Sequence, residues 1–271
     1  MAYQSIFEYI KGMNILVDKE AKKDVDITEN LDKLDEDDLN AFKFIYEHEL
    51  VTANLVDVHK RKASFGDYSF KNRIRLYQEY KLLDSYYVKA QNGERLVNMF
   101  MLTDKVAAYI KERFGLKENT GEFHEFIKEN NVLGFLKKMA LNQFLICSVN
   151  VKDYQIVKGK MYDAIIEYND EPIEYYVKVV RYTSEEIASV KDALRYVEDE
   201  VTGKRAMLLL CEYGDLIVDV GLSLKGIKTK IGVYYQTDIG ALNSPEKFKE
   251  VEALNKEHYS LYAIERTQLH K

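Results

Sequence analysis

The stretch Ser69-Phe70-Lys71-Asn72-Arg73-Ile74-Arg75-Leu76-Tyr77-Gln78-Glu79-Tyr80-Lys81-Leu82-Leu83 decides how the first half of the chain reads. At helical spacing Phe70, Ile74, Leu76, Tyr77, Tyr80 and Leu83 gather into an apolar stripe, and Ser69 stands where an N-cap belongs. Lys71, Arg73, Arg75 and Gln78 are then left to point outward, with Glu79 as the acidic interruption. A helix divided in this way suits base-edge and phosphate recognition: one side fixes it to a domain and the other carries donors. The competing reading is an ordinary surface helix, which usually carries more mixed charge.

The flanks sharpen the choice. Upstream, the acidic run Asp35-Glu36-Asp37-Asp38 suits a helix N-terminus, where the macrodipole favours negative charge. Leu39, Phe42, Ile45, Tyr46 and Leu50 follow it on one face. Thr52 can cap a short second helix over 53–60, and Gly66 and Asp67 mark a turn over 64–69. Downstream, Tyr86-Tyr87-Val88 and Leu96-Val97-Asn98-Met99-Phe100-Met101-Leu102 bracket Gln91-Asn92-Gly93-Glu94, a strong hairpin signal. Lys89 and Arg95 flank its tip. Thr103 caps a closing helix over 104–114, with Gly115 after its end. Three helices, a hairpin and a helix make the order of a winged helix-turn-helix unit, with Lys89 and Arg95 on the wing.

Charge is distributed to match. The chain has 271 residues and a net charge of −6, which argues against indiscriminate coating of nucleic acid. Yet 18–38 holds ten acidic and four basic side chains, whereas 60–95 holds nine basic and four acidic. Phosphate attraction is short-ranged at physiological salt, so a basic face on an acidic body is compatible with specific binding. There is no apolar run long enough to span a membrane and no secretory leader pattern at Met1–Glu8, so no membrane partner and a cytoplasmic location are expected. Cys147 and Cys211 lie far apart in apolar surroundings and read as buried thiols.

Elsewhere, residues 3–17 carry apolar side chains near helical spacing, and 18–38 reads as an acidic linker. Residues 122–148 read as further helix. From about Val149 strands alternate with helices: strands over 154–158, 161–168, 173–180, 206–211, 231–236 and 259–264, and helices over 184–200, 215–224 and 245–257. The five histidines are scattered without metal-ligand spacing. Met161–Tyr168 and Glu174–Arg181 invite comparison with metal-dependent nucleases, which place an Asp on one strand and a Glu/Asp-x-Lys triplet on the next. Asp163 and Lys178 fit, but the triplet reads Tyr176-Val177-Lys178, and Glu174 stands four residues from Lys178, far along a strand. Gly221–Thr229 departs from a phosphate-binding loop because Ile227 separates Gly226 from Lys228. Neither Ser223 nor the cysteines have a nucleophile context.

In this order the chain resembles the replication-relaxation family of mobile-element proteins. The resemblance runs over about residues 35–215, through Leu136-Lys137-Lys138-Met139-Ala140-Leu141-Asn142-Gln143-Phe144 and through Tyr162-Asp163-Ala164 with Tyr176–Thr183 and the helix after it. It implies a winged-helix domain joined to a restriction-endonuclease-like domain, working in plasmid or phage replication, mobilisation or transcriptional regulation. The family's strand carries an acidic pair where this chain has Lys178 and Val180, so a nuclease role is not carried over. The expectation is an α+β chain with an extension and linker over 1–34, a winged-helix domain over 35–120, connecting helices over 121–148 and an inactive nuclease-like domain over 149–271. Lys71, Arg73, Arg75, Gln78, Lys89 and Arg95 would contact double-stranded DNA, in a homodimer needing no cofactor or metal. The alternatives are a Mg²⁺-dependent nuclease using Asp163, Glu174 and Lys178, or an adaptor recruiting a replication or transfer protein.

Overall fold

A computed structural model of the chain describes residues 15–19, 28–62, 69–90, 92–119, 121–129, 131–148, 151–157, 160–169, 171–181, 183–200, 203–212, 214–238 and 249–250. The class is α+β, with one three-stranded and one six-stranded sheet. Two units divide between Asn142 and Gln143. The turn expected over 64–68, Gln91 and the strand over 259–264 lie outside the described residues.

In the first unit a short helix α1 (Thr28–Leu31) precedes α2 (Glu36–His48). The acidic run starts α2 as its electrostatics require. The Asp35 carboxylate accepts from the Asp38 amide and the Asp38 carboxylate from the Asp35 amide, so two otherwise unpaired donors are satisfied reciprocally. Leu39, Phe42, Ile45 and Tyr46 are buried along one face of α2. Helix α3 (Ala53–Lys62) follows, and the Thr52 hydroxyl accepts from the Leu55 amide at 3.4 Å.

Helix α4 spans Phe70–Glu79 and is shorter than its apolar stripe suggested. Lys81 takes a left-handed conformation with φ 58°, and the Leu82 amide folds back onto the Tyr77 carbonyl at 2.9 Å. Leu83 therefore starts a strand instead of ending the helix. Ser69 sits at the N-cap without a side-chain bond; the first amide of α4, that of Phe70, is taken by the Asp57 carboxylate at 3.0 Å. Strands β2 (Leu83–Ala90) and β3 (Arg95–Leu102) form the expected antiparallel hairpin, with Gly93 at φ 86° in its turn. Helix α5 (Asp104–Phe114) closes the series and Gly115 ends it at φ 62°. The Thr103 hydroxyl donates to the Lys81 carbonyl and makes no cap bond.

Two further helices, α6 (Glu122–Lys128) and α7 (Val132–Cys147), complete the helical stretch. Three polar side chains of the Leu136–Phe144 segment have internal tasks. Lys138 pairs with Glu122 at 2.6 Å, Asn142 donates to the His48 carbonyl at 2.8 Å, and Gln143 donates to the Asp238 carbonyl at 2.8 Å. At the other end, residues 15–17 depart from the helical expectation, and Asp18 and Lys19 from the linker. Ile15–Lys19 is strand β1, antiparallel to β2, with Ile15 opposite Ala90 and Lys19 opposite Tyr86. Its partner lies some seventy residues away, so local periodicity carries no trace of the pairing.

The second unit is built on β4 (Val151–Ile156), β5 (Ala164–Tyr168), β6 (Glu171–Val180), β7 (Arg205–Cys211), β8 (Gly232–Thr237) and β9 (Lys249–Glu250), neighbours in that order. β4, β5 and β6 run as an antiparallel meander, and β6, β7 and β8 are parallel. The parallel steps need crossovers, supplied by α8 (Ser184–Glu200) and α9 (Gly214–Ser223). Val190, Ala193, Leu194 and Val197 form one stripe of α8. They pack with Leu216, Ile217 and Val220 of α9 against Tyr176, Val180, Met207, Leu209, Val233 and Tyr235 of the strands. Val177, Val179, Leu208 and Leu210, with the opposite parity, are buried as well, as expected of central parallel strands. Lys249–Glu250 pairs with Tyr235 and Tyr234, so these two residues are strand where a helix over 245–257 was expected. The rest of that span lies outside the described residues. Cys147 and Cys211 are buried free thiols.

His48, at the end of α2, is fully enclosed. Its Nδ1 donates to the Phe44 carbonyl at 2.9 Å and its ring lies 4.3 Å from that of Phe44. Burial pulls its pKa down from 6.5 to about 4, against the pull of the Phe44 carbonyl and with help from nearby His59 and Lys138. The folded state therefore holds His48 neutral while the unfolded chain protonates it below pH 6.5. The resulting stability is fully present above that pH and is lost as pH falls toward 4, amounting to about 2–3 kcal/mol. Urea unfolding at pH 7.5, 5.5 and 4.5 should show this loss in the wild type, and His48→Gln should show a flatter profile. Parallel profiles would exclude His48 as the source.

Candidate nucleic-acid interface

Helix α4 does not present its basic residues equally. Lys71, Asn72, Arg75, Leu76 and Glu79 are exposed and form one stripe at i, i+4 spacing. Leu76, expected in the core, is 39% exposed because the core-facing positions are Phe70 and Tyr77. Arg75 is 90% exposed in its side chain and pairs with Glu79 at 2.9 Å, an exposed pair that holds it weakly.

Arg73 and Gln78, expected to point outward, are half-buried, and both make bonds within the unit. Arg73 bonds Asp35 at 2.7 Å and also Asp38, the capping-box carboxylates of α2. Asp38 is buried and accepts from the Tyr77 hydroxyl as well. Burial works against ionisation of Asp35, but the Asp38 amide and the Arg73 guanidinium outweigh it and hold the carboxyl below its ordinary range. The same pair of carboxylates holds Arg73 charged. Gln78 donates to the Ser85 hydroxyl at 2.7 Å and so ties α4 to β2. Both side chains fix the angle of the helix, a task that sequence spacing did not separate from recognition.

At the hairpin tip Lys89 stands opposite Arg95, just past a register shift between Val88 and Lys89. The Arg95 guanidinium lies 4.1 Å from the centre of the Tyr87 ring and the Lys89 ammonium 5.9 Å. Both cations thus share one aromatic platform, where the ring quadrupole favours positive charge. Exposed Asn98 pairs across from Tyr87 and belongs to the same face. Asn72, Leu76 and Tyr87 were missed as interface candidates. The signal for the first two was their own i, i+4 spacing, one position on from the i, i+4 row of Lys71, Arg75 and Glu79.

In the second unit the register sets Ala164 opposite Val177, which leaves Asp163, just before β5, beside the Val177–Val179 part of β6. The Asp163 carboxylate accepts from the Val179 amide at 2.8 Å, and the buried Lys178 ammonium donates to the Met161 carbonyl at 3.3 Å. Glu174 is not brought to them: it lies about 13 Å back along β6 at the strand rise. It accepts from the Tyr176 hydroxyl at 2.8 Å. Burial, then this carboxylate, push the Tyr176 hydroxyl above its ordinary range. Tyr176 also meets the Tyr162 ring edge-on at 4.9 Å. Among the described residues no group of three or more His, Cys, Asp or Glu side chains is placed to hold a metal.

A second polar group follows the ends of the parallel strands. Val180, Cys211 and Thr237 are in register, and Arg181, Glu212 and Asp238 are the residues after them. Arg181 holds Asp238 through two bonds of 2.6 and 3.1 Å, with both side chains buried. Burial pushes the Asp238 carboxyl up to about 6 against the pull of Arg181, and Glu212 adds to the rise. Their separation of 57 residues gave no sequence signal.

The geometry separates two kinds of basic residue on α4. Arg73→Ala leaves the buried Asp38 carboxylate short of a partner and should lower stability by about 1–2 kcal/mol, allowing for screening at its half-exposed end. Lys71→Ala and Arg75→Ala should leave the urea midpoint unchanged; equal midpoints for all three variants would refute the distinction. No protein-family model, no curated protein and no solved structure matches the chain.

Proposed function

We propose that the chain is a sequence-specific double-stranded DNA-binding protein whose first unit is a winged helix-turn-helix. The observation that carries this is the exposed stripe of α4: Lys71, Asn72, Arg75 and Leu76 on a helix whose other side is held by Phe70, Arg73, Tyr77 and Gln78. The chain order α2, α3, α4, hairpin, α5 supports the winged-helix reading. In this reading Lys71 and Arg75 bond phosphates and guanine edges, Asn72 reads adenine, and Leu76 packs against thymine methyls. Lys89 and Arg95 lie along the backbone beside the site. Arg73 and Gln78 act through position alone. The protein works as a homodimer in plasmid or phage replication, mobilisation or transcription, in line with the resemblance to the replication-relaxation family, and a replication or transfer protein is a natural partner for its second unit.

The second unit supports a related reading. The meander β4–β5–β6, the helical crossover to the parallel β7, and Asp163 and Lys178 on neighbouring segments support reading it as a restriction-endonuclease-like domain. Tyr176, where a metal-binding carboxylate is needed, favours a domain that no longer cuts. Mg²⁺- or Mn²⁺-dependent cleavage of duplex DNA, lost in Asp163→Ala, would reverse that conclusion in favour of a nuclease using Asp163 and Lys178.

Selection from random duplex DNA with the full chain should enrich one sequence, palindromic if the dimer binds it. On that sequence Lys71→Ala with Arg75→Ala should weaken binding by about 100-fold or more and reduce the salt slope by about one to two. Failure to enrich any sequence, or a double variant that binds as well as the wild type, would sink the proposal.

A further inference from the structure

The loops that lead into two parallel strands of the second unit carry a positive patch that recognition by α4 leaves without a task. Residues 203–205 run into β7, and residues 225–230 join the end of α9 to β8. Together they hold Lys204, Arg205, Lys225, Lys228 and Lys230 and no acidic residue, in a chain of net charge −6. All four lysines are exposed. None of them makes an ion pair among the described residues.

The fold brings the two loops together. Ala206 pairs with Gly232, and Lys204 and Lys230 both stand two residues before that pair, so they enter the sheet side by side. The end of α8 anchors both approaches. The Lys230 amide donates to the Glu198 carboxylate at 2.5 Å, and the Arg205 guanidinium donates to the Glu198 carbonyl at 2.6 Å. Glu198 is thus bonded by a backbone amide and a guanidinium, and by none of the four ammonium groups. Exposed Asp199 follows it on α8, and Glu174, level with Arg205 on β6, takes the Tyr176 hydroxyl. At φ 80° Gly226 makes the bend between Lys225 and Lys228. Like charges side by side on neighbouring strands destabilise a sheet, and an anionic partner removes that repulsion.

We propose, resting on the DNA-binding reading for the nature of the partner, that this patch is a second, sequence-independent contact with duplex DNA. Lys204, Lys225, Lys228 and Lys230 bond backbone phosphates. Charge density selects the duplex. Lys225 and Lys230 lie five residues apart, so they span at most about 18 Å, a length over which duplex DNA carries about ten charges. An extended peptide of that length carries about five even if every residue is acidic. Lysine is a point charge that bonds phosphate without the paired donors that read a guanine edge. The patch is separate from Asp163 and Lys178: Arg205 is level with Glu174, and Lys178 with Leu209, about 13 Å farther along the strands. Alone the contact is weak; tethered to the first unit it adds affinity through effective concentration.

The test uses the full chain and a short duplex of scrambled sequence, with affinity measured across a salt series. The wild type should bind weakly, and more weakly as salt rises. Lys204→Gln, Lys225→Gln, Lys228→Gln and Lys230→Gln made together should reduce the salt slope by about three to four and leave Tm unchanged. Lys→Arg at the same four positions keeps the charge and should keep the wild-type slope. The proposal is overturned if the wild type shows no salt-dependent binding, or if the glutamine variant keeps the wild-type slope. It is also overturned if the arginine variant loses binding as the glutamine variant does, or if polyglutamate of equal charge competes as well as unlabelled duplex. Lys71→Ala with Arg75→Ala separates the two readings on the selected sequence. Unchanged affinity there sinks the recognition helix, while a slope lost in the glutamine variant still supports the patch.

Discussion

The Asp38 carboxylate is the contact on which the first unit depends. It ends the capping box of α2, accepts from the Tyr77 hydroxyl and pairs with Arg73, all from a buried position. A buried carboxylate is tolerated only where its lone pairs are taken up, and here three different groups do so. The result joins the start of one helix to the middle of another 35 residues later. Phe42 meets Tyr77 edge-on at 5.0 Å beside the joint, so the polar contact sets direction while the aromatic pair supplies burial. A second tether, Asp57 to the Phe70 amide, sets where α4 begins. The outward stripe of α4 is therefore specified by what its inner side holds.

The second unit rests on register. Because β5 and β6 pair with Ala164 opposite Val177, Asp163 lies beside the Lys178 stretch of β6, and because pairing is fixed, Glu174 cannot join them by a small adjustment. A slip of one residue would turn every side chain of β6 to the other face and bury the wrong set. The packing of Tyr176 and Val180 under α8 forbids that slip. The same parallel register sets Arg181, Glu212 and Asp238 after the ends of three adjacent strands, and the two-bond Arg181–Asp238 pair keeps the last strand's end in place. Such a buried pair is better understood as a device for one arrangement over others than as a large source of stability.

What could be read in the sequence followed from how local each cause is. Asp35 and Asp38 lie three residues apart, and their helix start was legible; so were the Asn92-Gly93 turn, the limits of the closing helix 104–114 and the crossover helix 184–200. Ser69 was the reasonable local cap for α4, but a carboxylate from another helix reached the amide instead. β1 and β9 pair with strands distant in the chain, and their own residues resemble an amphipathic helix or a helix-rich segment just as well. At the site, Asp163 and Lys178 were found by motif and are neighbours, whereas the Arg181–Asp238 pair had no motif. Arg73 shows the limit best. Its type and spacing are those of a DNA-contacting residue, and only the position of Asp38 in space reveals that its charge is already in use.

That last point changes the electrostatics of the proposed interface. Counted from sequence, α4 offers three cations; in the fold Arg73 is paired with Asp35 and Asp38, and Arg75 more weakly with Glu79. The hairpin's two cations lean on Tyr87, whose ring quadrupole attracts them without cancelling their charge. A surface of this kind attracts phosphate modestly, and nonspecific affinity scales with the number of phosphates neutralised. On the proposed function, an exchange of Glu79 for DNA at Arg75 would serve selectivity: Glu79 would compete with any sequence that offers Arg75 only a phosphate, and would yield to one that offers the paired acceptors of a guanine edge. A partly neutralised helix is in this view built to ignore most DNA.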